Sequence, residues 1–309
     1  MTRRLLVPAL SLRLVACAVF AQPVPPATAT APALSPPTGA TRMNLWQNTP
    51  NVVPGQDKDV DPTIPTLDAY VPAANVTKCA IIVLPGGGYT NLSTIKEGKD
   101  VAEMFASHGI TAFVLRYRHA PRYKYPVPQE DVARAIRLVR SKAADYHIDP
   151  ARIGIMGFSA GGHLASSIST HFDLGKPDAA DPIDKLSCRP DFAILCYPVI
   201  TFTDDAATHK GSRTALVGND ETLWKEMSSE LHVTKDTPPT FLYHTDADKT
   251  VPSENSVLYY LALRKAKVDA ELHIFQPGGH GSGLGLGDGE LKAWPALALS
   301  WIDHHGWTK

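Results

Sequence analysis

A chain of 309 residues, 44% hydrophobic and 20% charged, is long enough to bury a large core and too apolar to stay unfolded. Its formal net charge of −1 provides no basic field to draw in phosphates, so nucleic acid is excluded as an expected partner.

The first residues, MTRRLLVPALSLRLVACAVFAQP, join early arginines to an apolar run and a small-x-small pattern ending at Ala21. This predicts a secretory signal peptide over residues 1–21 and a secreted or periplasmic protein. Leu14-Val15-Ala16-Cys17 also fits a lipobox, which would acylate Cys17 and make an outer-membrane lipoprotein. The run is too short to span a bilayer and is broken by Arg13, so no membrane contact is expected of the folded part. Residues 22–42 are rich in Pro, Ala and Thr and read as a disordered tether; residues 43–309 read as one folded domain.

Along that domain short apolar runs alternate with amphipathic ones. Asn44–Trp46 and Leu67–Val71 are expected as antiparallel edge strands. Cys79–Leu84 follows as a buried strand, then a helix near Glu97–His108 with Val101, Met104 and Phe105 on one face, then a strand at Thr111–Leu115. In Glu130–Tyr146 the residues Val132, Ala135, Ile136 and Val139 fall on one helical stripe. Strands are expected at Ile153–Met156, Phe192–Tyr197, Thr240–Tyr243 and Ala270–Phe275, with helices from Ala160, over Glu254–Lys265 and near Trp294–His304. Near-continuous apolar strands separated by helices predict an α/β fold whose mainly parallel sheet of about eight strands is covered on both faces.

Between the third of the buried strands and its helix lies Gly157-Phe158-Ser159-Ala160-Gly161, a G-x-S-x-G sequence in the strand–turn–helix setting of a nucleophile elbow. There a serine oxygen projects above the sheet beside a helix N-terminus, which favours developing negative charge. A nucleophilic serine needs a base and an acid, in the chain order Ser, acid, His. His280 lies in the glycine-rich segment Pro277–Gly283 directly after the last strand, whereas His273 sits within that strand and His304 and His305 end the final helix. The loop after Thr240–Tyr243 offers two carboxylates, Asp246 and Asp248. Oxyanion donors are expected from the amides of Ala160 and of Gly87 and Gly88 in Pro85-Gly86-Gly87-Gly88-Tyr89. This chemistry calls for no metal and no cofactor, and the sequence contains neither a zinc-ligand spacing, a G-x-G-x-x-G nor a P-loop. Of the three cysteines beyond the leader, Cys79 and Cys196 lie in strand-like runs where a thiol acts as a small hydrophobe; the odd count gives no disulfide framework, and whether Cys188 bridges to Cys196 in an oxidising compartment stays open at this point.

With PGGGY at 85–89, GFSAGGH at 157–163, DKTVP at 248–252 and GGHG at 278–281 in that order, the chain resembles the α/β-hydrolases. More narrowly, it resembles bacterial secreted carbohydrate esterases of the acetylxylan and feruloyl esterase type, some of which carry a xylanase name. LRYR at 115–118 and RPDFAILCYPVI at 189–200 extend the likeness across residues 45–307. The resemblance implies a triad of Ser159, Asp248 and His280, with Asp248 preferred to Asp246 by its spacing from the Val251-Pro252 pair. It further implies hydrolysis of short acyl esters of carbohydrates, with deacetylation of xylan or its oligosaccharides first. Feruloyl esterase is the alternative, and a prolyl-oligopeptidase-like peptidase, which shares the triad order, a more distant one. Segments 171–189 and 201–232 are polar and short, unlike a lid for greasy acyl chains; Tyr89 and Trp224 are candidates for stacking on a sugar, with ordinary packing as the competing role.

Overall fold

The structure is a computed structural model and describes residues 39–309 except 54–57, 59, 75–76 and 288. The expected signal peptide, Cys17 and all but the end of the expected tether lie outside the described residues. Eight strands form one sheet: β1 (Thr41–Asn44), β2 (Thr66–Tyr70), β3 (Ala80–Leu84), β4 (Thr111–Arg116), β5 (Ile153–Phe158), β6 (Ala193–Cys196), β7 (Thr240–Thr245) and β8 (Ala270–Phe275). Their spatial order is β1-β2-β4-β3-β5-β6-β7-β8. Only the β1–β2 and β2–β4 pairs are antiparallel; every pair from β4 to β8 is parallel.

Alternation along each strand divides the core in two. Ala80, Ile82 and Leu84 face one side with helices α2 (Val127–Ser141), α3 (Ala160–Thr170) and α6 (Glu254–Ala266). Ile81 and Val83 face the other, with α1 (Asp100–Ser107) and α7 (Trp294–His304), whose Trp294, Ala298, Trp301 and Ile302 are all buried. The central strands carry apolar residues at every position because both faces are covered.

Two boundaries differ from the sequence reading. The first edge strand is Thr41–Asn44, with Thr41 paired to Ala69 and Asn44 to Thr66, so ordered structure starts inside the stretch expected as tether. There the register is set by pairing with β2, while Leu45, expected within the strand, turns into the core. The helix expected from Glu97 begins with a wide turn at Ile95–Lys99 before α1 proper. The three cysteines beyond the leader are buried and free, so Cys188 and Cys196 are not bridged. Between β6 and β7, residues 201–232, read as polar connection, contain α4 (Lys210–Val217) and α5 (Glu221–Glu226), capped by the His209 and Asp220 side chains. No helix among the described residues is long and apolar enough to cross a membrane.

Strand β3 lies between β4 and β5, and the chain leaves it in one direction before crossing back to the other. Crevices that accept ligands in open α/β sheets form at such a reversal, beyond the carboxyl ends of the strands. The loops after β3, β5, β7 and β8 all emerge on that edge.

Candidate active site

Ser159 follows β5 directly, with φ 53° and ψ −118°, a backbone state that non-glycine residues avoid. Hydrogen bonds hold it there: its N–H donates to the Cys196 carbonyl at 3.1 Å, and its own carbonyl accepts from His163 at 3.0 Å and Val199 at 3.1 Å. The sharp turn requires the two flanking glycines. A Cβ on Gly157 would overlap the Gly161 carbonyl, and one on Gly161 would overlap the carbonyls of Leu84 and Pro85. This explains the G-x-S-x-G spacing as a backbone packing requirement.

His280 brings Nε2 to 2.8 Å from Ser159 Oγ and Nδ1 to 2.6 Å from Asp248 Oδ2. The structure thus joins Ser159, His280 and Asp248 in one hydrogen-bonded chain, reaching the serine from loops that follow β7 and β8. Asp248 Oδ1 accepts from the N–H groups of Thr250 at 2.9 Å and Val251 at 3.0 Å, which fixes the carboxylate. Burial pushes Asp248 up, but His244 at 3.6 Å, His280 and the Val251 N–H outweigh it and hold the carboxyl well below the usual range. Asp246 is exposed, and its backbone N–H pairs with the Phe275 carbonyl. Both aspartates lie in the same turn, but only Asp248 turns inward.

The glycine loop after β3 abuts the serine: a Cβ on Gly86 would stand 3.0 Å from Ser159 Cβ. Among the described residues the amides of Gly87, Gly88 and Ala160 have no hydrogen-bond acceptor, whereas that of Gly86 is taken by Glu97 Oε2 at 2.9 Å. Gly87 at φ +137° and Gly88 at φ +64° take backbone conformations that favour glycine. The Ala160 amide opens α3 and is one of the N-terminal groups a helix leaves unpaired.

Tyr89 does not line the crevice, contrary to the expectation that it stacks on a sugar. It is fully buried, its O–H donates to His163 Nδ1 at 2.7 Å, and its ring packs edge-on against Tyr117 and His163. At φ +60° the backbone turns this side chain inward from a loop that glycines had marked as surface. Trp224 stacks under the Arg213 guanidinium at 3.9 Å and donates from Nε1 to the Gly218 carbonyl at 3.0 Å, so it too serves packing.

Two groups at the crevice were not singled out from sequence. Glu97 is almost wholly buried beneath the loops. Its Oε2 accepts from the Gly86 N–H and its Oε1 accepts from the Tyr197 O–H at 2.7 Å. Tyr197 in turn accepts from the Gly283 N–H at 3.0 Å, and its ring stands edge-on to His280 with centroids 5.1 Å apart. One carboxylate therefore ties the glycine loop after β3 to the histidine loop after β8. Burial pushes Glu97 up against the opposing pull of Tyr197 and Gly86. The second group is His209, whose ring would lie 4.0 Å from a Cβ on Gly88 and whose Nδ1 accepts from the Ser212 N–H at 3.2 Å. Burial, and then His280, lower its basicity. Glu97 looked like one polar position at the head of an amphipathic helix, and His209 lies in a polar segment without a motif; neither carries a local signal.

An eight-stranded sheet with this order, a serine on a strained strand-to-helix turn and an imidazole delivered from the last strand's loop define the α/β-hydrolase fold class. Within it, the chain belongs to the BD-FAE family, whose model matches residues 67–263. An endo-1,4-beta-xylanase B of Butyrivibrio fibrisolvens is 40% identical over 226 residues, covering 71% of this chain and 34% of that protein. An acetylxylan esterase of Xylanibacter ruminicola is 37% identical over 212 residues, covering 67% of this chain and 41% of that protein. The chain thus spans less than half the length of these two relatives. The crystal structure of an acetyl ester-xyloside bifunctional hydrolase from Caldicellulosiruptor lactoaceticus aligns at a TM-score of 0.81 and 45% identity, covering 88% of this chain and 98% of that one.

Proposed function

We propose that this protein is a serine carboxylic-ester hydrolase that removes short acyl groups, acetyl first, from xylan or xylo-oligosaccharides. The observation that carries the reading is the hydrogen-bonded series from Ser159 Oγ through His280 to Asp248, beside three unpaired amides. Ser159 Oγ attacks the ester carbonyl while His280 Nε2 takes its proton. Asp248 accepts the Nδ1–H bond, keeps the attacking tautomer in place and offsets the charge of the imidazolium. The Gly87, Gly88 and Ala160 amides receive the oxyanion. His280 then protonates the leaving sugar oxygen, and water, deprotonated by His280, cleaves the acyl-enzyme and restores Ser159.

The acyl and sugar preference is supported by the surroundings. A shallow 570 Å³ groove lined by Thr90, Ala120, Pro121, Lys124, Lys210 and Gly211 borders Gly88 and His209. Its openness to water suits a polar alcohol better than a long acyl chain. The names of the relatives from Xylanibacter and Caldicellulosiruptor point the same way. The leader-like residues 1–21 support export, to the periplasm or medium, or anchoring through Cys17, where such a polymer would be met.

A panel of acetylated xylan, methyl ferulate and short p-nitrophenyl esters tests the assignment. Release of acetate from xylan with kcat/KM at least about tenfold above that on methyl ferulate is expected, a gap of about 1.4 kcal/mol in transition-state binding. Preference for methyl ferulate would move the assignment to feruloyl ester cleavage, and activity on neither would contradict it.

A further inference from the structure

Away from the crevice, at the far end of α3, His171, Glu226 and His232 converge. One ligand atom from each lies within 4.8 Å of the others, a grouping that recurs nowhere else among the described residues. Three elements supply them: His171 caps the C-terminus of α3, Glu226 ends α5, and His232 closes the single turn Ser229–Leu231. From Ser159 to His171 the helix runs for about 18 Å at the usual rise per residue, so the cluster is distinct from the catalytic centre.

The hydrogen bonds of the two imidazoles set their tautomers. His171 Nδ1 donates to the Ser167 carbonyl at 3.1 Å, which leaves the lone pair on Nε2. That nitrogen is buried and makes no hydrogen bond of ordinary length; the Glu226 carboxylate stands 3.6 Å away, too far for one, and the Glu226 backbone carbonyl also faces the ring. His232 Nε2 donates to the Lys225 carbonyl at 2.9 Å, which leaves the lone pair on Nδ1. Metal-binding histidines characteristically spend one N–H on a backbone carbonyl and so orient the other nitrogen toward the ion. An orphaned buried nitrogen costs free energy that an electrophile in that position would recover.

We propose that His171, Glu226 and His232 form a divalent transition-metal site, with zinc as the ion it fits, that staples the segment between β6 and β7 to α3. Two imidazoles and one carboxylate match zinc in ligand type and leave a fourth position for water. Tetrahedral coordination needs ligand atoms about 3.4 Å apart, and the half-exposed Glu226 side chain is free to close the remaining gap. His171 also lines an open 390 Å³ cleft that gives the ion a path from solvent. The set is invisible to a motif search because 54 residues separate His171 from Glu226 and His232 follows at a further six.

The test is zinc titration of the metal-stripped, untagged full chain against a competing chromophoric chelator, with thermal unfolding in parallel. One equivalent should bind with Kd at or below about 1 μM and raise Tm by roughly 5 °C. His171→Ala and His232→Ala should each lose that equivalent and the Tm response while keeping the metal-free Tm, and Glu226→Gln should bind at least about 100-fold more weakly. Calcium and magnesium, which prefer all-oxygen sites, should have no effect. Absence of saturable zinc binding in the wild type, or a full equivalent retained by the His171→Ala/His232→Ala double variant, would overturn the proposal. Each readout is independent of ester hydrolysis, so failure here leaves the proposed activity standing.

Discussion

The floor of the crevice and the segment bordering it, residues 201–232, hold their groups in place by different means. On the floor, Ser159, Asp248 and His280 stand on loops that leave the parallel strands β5, β7 and β8 at one edge of the sheet, and the backbone itself sets where each begins. In the bordering segment, His209 and Trp224 are placed by side-chain caps and by contacts with distant residues: Asn255 Oδ1 accepts from the Ile200 and Thr201 N–H groups, and the Met227 carbonyl accepts from His163 Nε2. Positions dictated by backbone geometry demand glycines and fixed spacings, and these show in a sequence. Positions dictated by distant partners do not.

The largest expected contrast lies within the floor, between its two aspartates. Asp248→Asn should lower kcat by roughly 10⁴-fold, since an amide at the Nδ1 side favours the wrong tautomer of His280, while Asp246→Asn should leave it within about twofold. Steady-state kinetics on p-nitrophenyl acetate measures both, and equal losses would break the distinction between the inward and outward carboxylate.

Next in size is the tie beneath the floor. Glu97→Gln cannot accept both the Gly86 N–H and the Tyr197 O–H as the carboxylate does, so the two loops should drift relative to each other. A loss of about 10- to 100-fold in kcat with little change in KM is expected, because sub-ångström displacement of reacting groups falls on the chemical step. A loss confined to KM would show instead that Glu97 shapes only substrate binding.

A smaller effect, on stability, belongs to the bordering segment. His163 is fully buried, and burial pushes its pKa from 6.5 down to about 4. The unfolded chain therefore takes up this proton at higher pH than the folded one. As pH falls from about 6.5 to about 4, stability drops, and this residue's share is about 3 kcal/mol. Urea denaturation at neutral pH and near pH 4.5 should show His163→Gln losing less stability on acidification than the wild type. Parallel losses would mean that the contact from α3 to Met227 does not depend on neutral His163.

The strand and helix order, the elbow and the glycine loop were legible in the sequence because apolar alternation and steric limits act locally. Asp248 was separable from Asp246 only by resemblance, since both lie in one glycine-free turn after β7 and nothing local says which one faces inward. Tyr89 misled for a related reason. The glycines before it mark a loop, but its left-handed backbone and the distant His163 decide that it is core. Thr41–Asn44 was hidden in a low-complexity stretch because an edge strand paired on one side needs no apolar run, only a register with β2.

Ser159 stands in its turn for its oxygen as well as for its small size, and this is open to direct test. Mass spectrometry after treatment with an organophosphonate, with esterase activity followed in parallel, addresses it most directly. One covalent adduct per chain is expected, on Ser159, with complete loss of activity; Ser159→Ala should fold normally, take up no label and turn over at least about 10³-fold more slowly. A folded Ser159→Ala variant with near wild-type esterase activity, or an adduct on another residue, would contradict it.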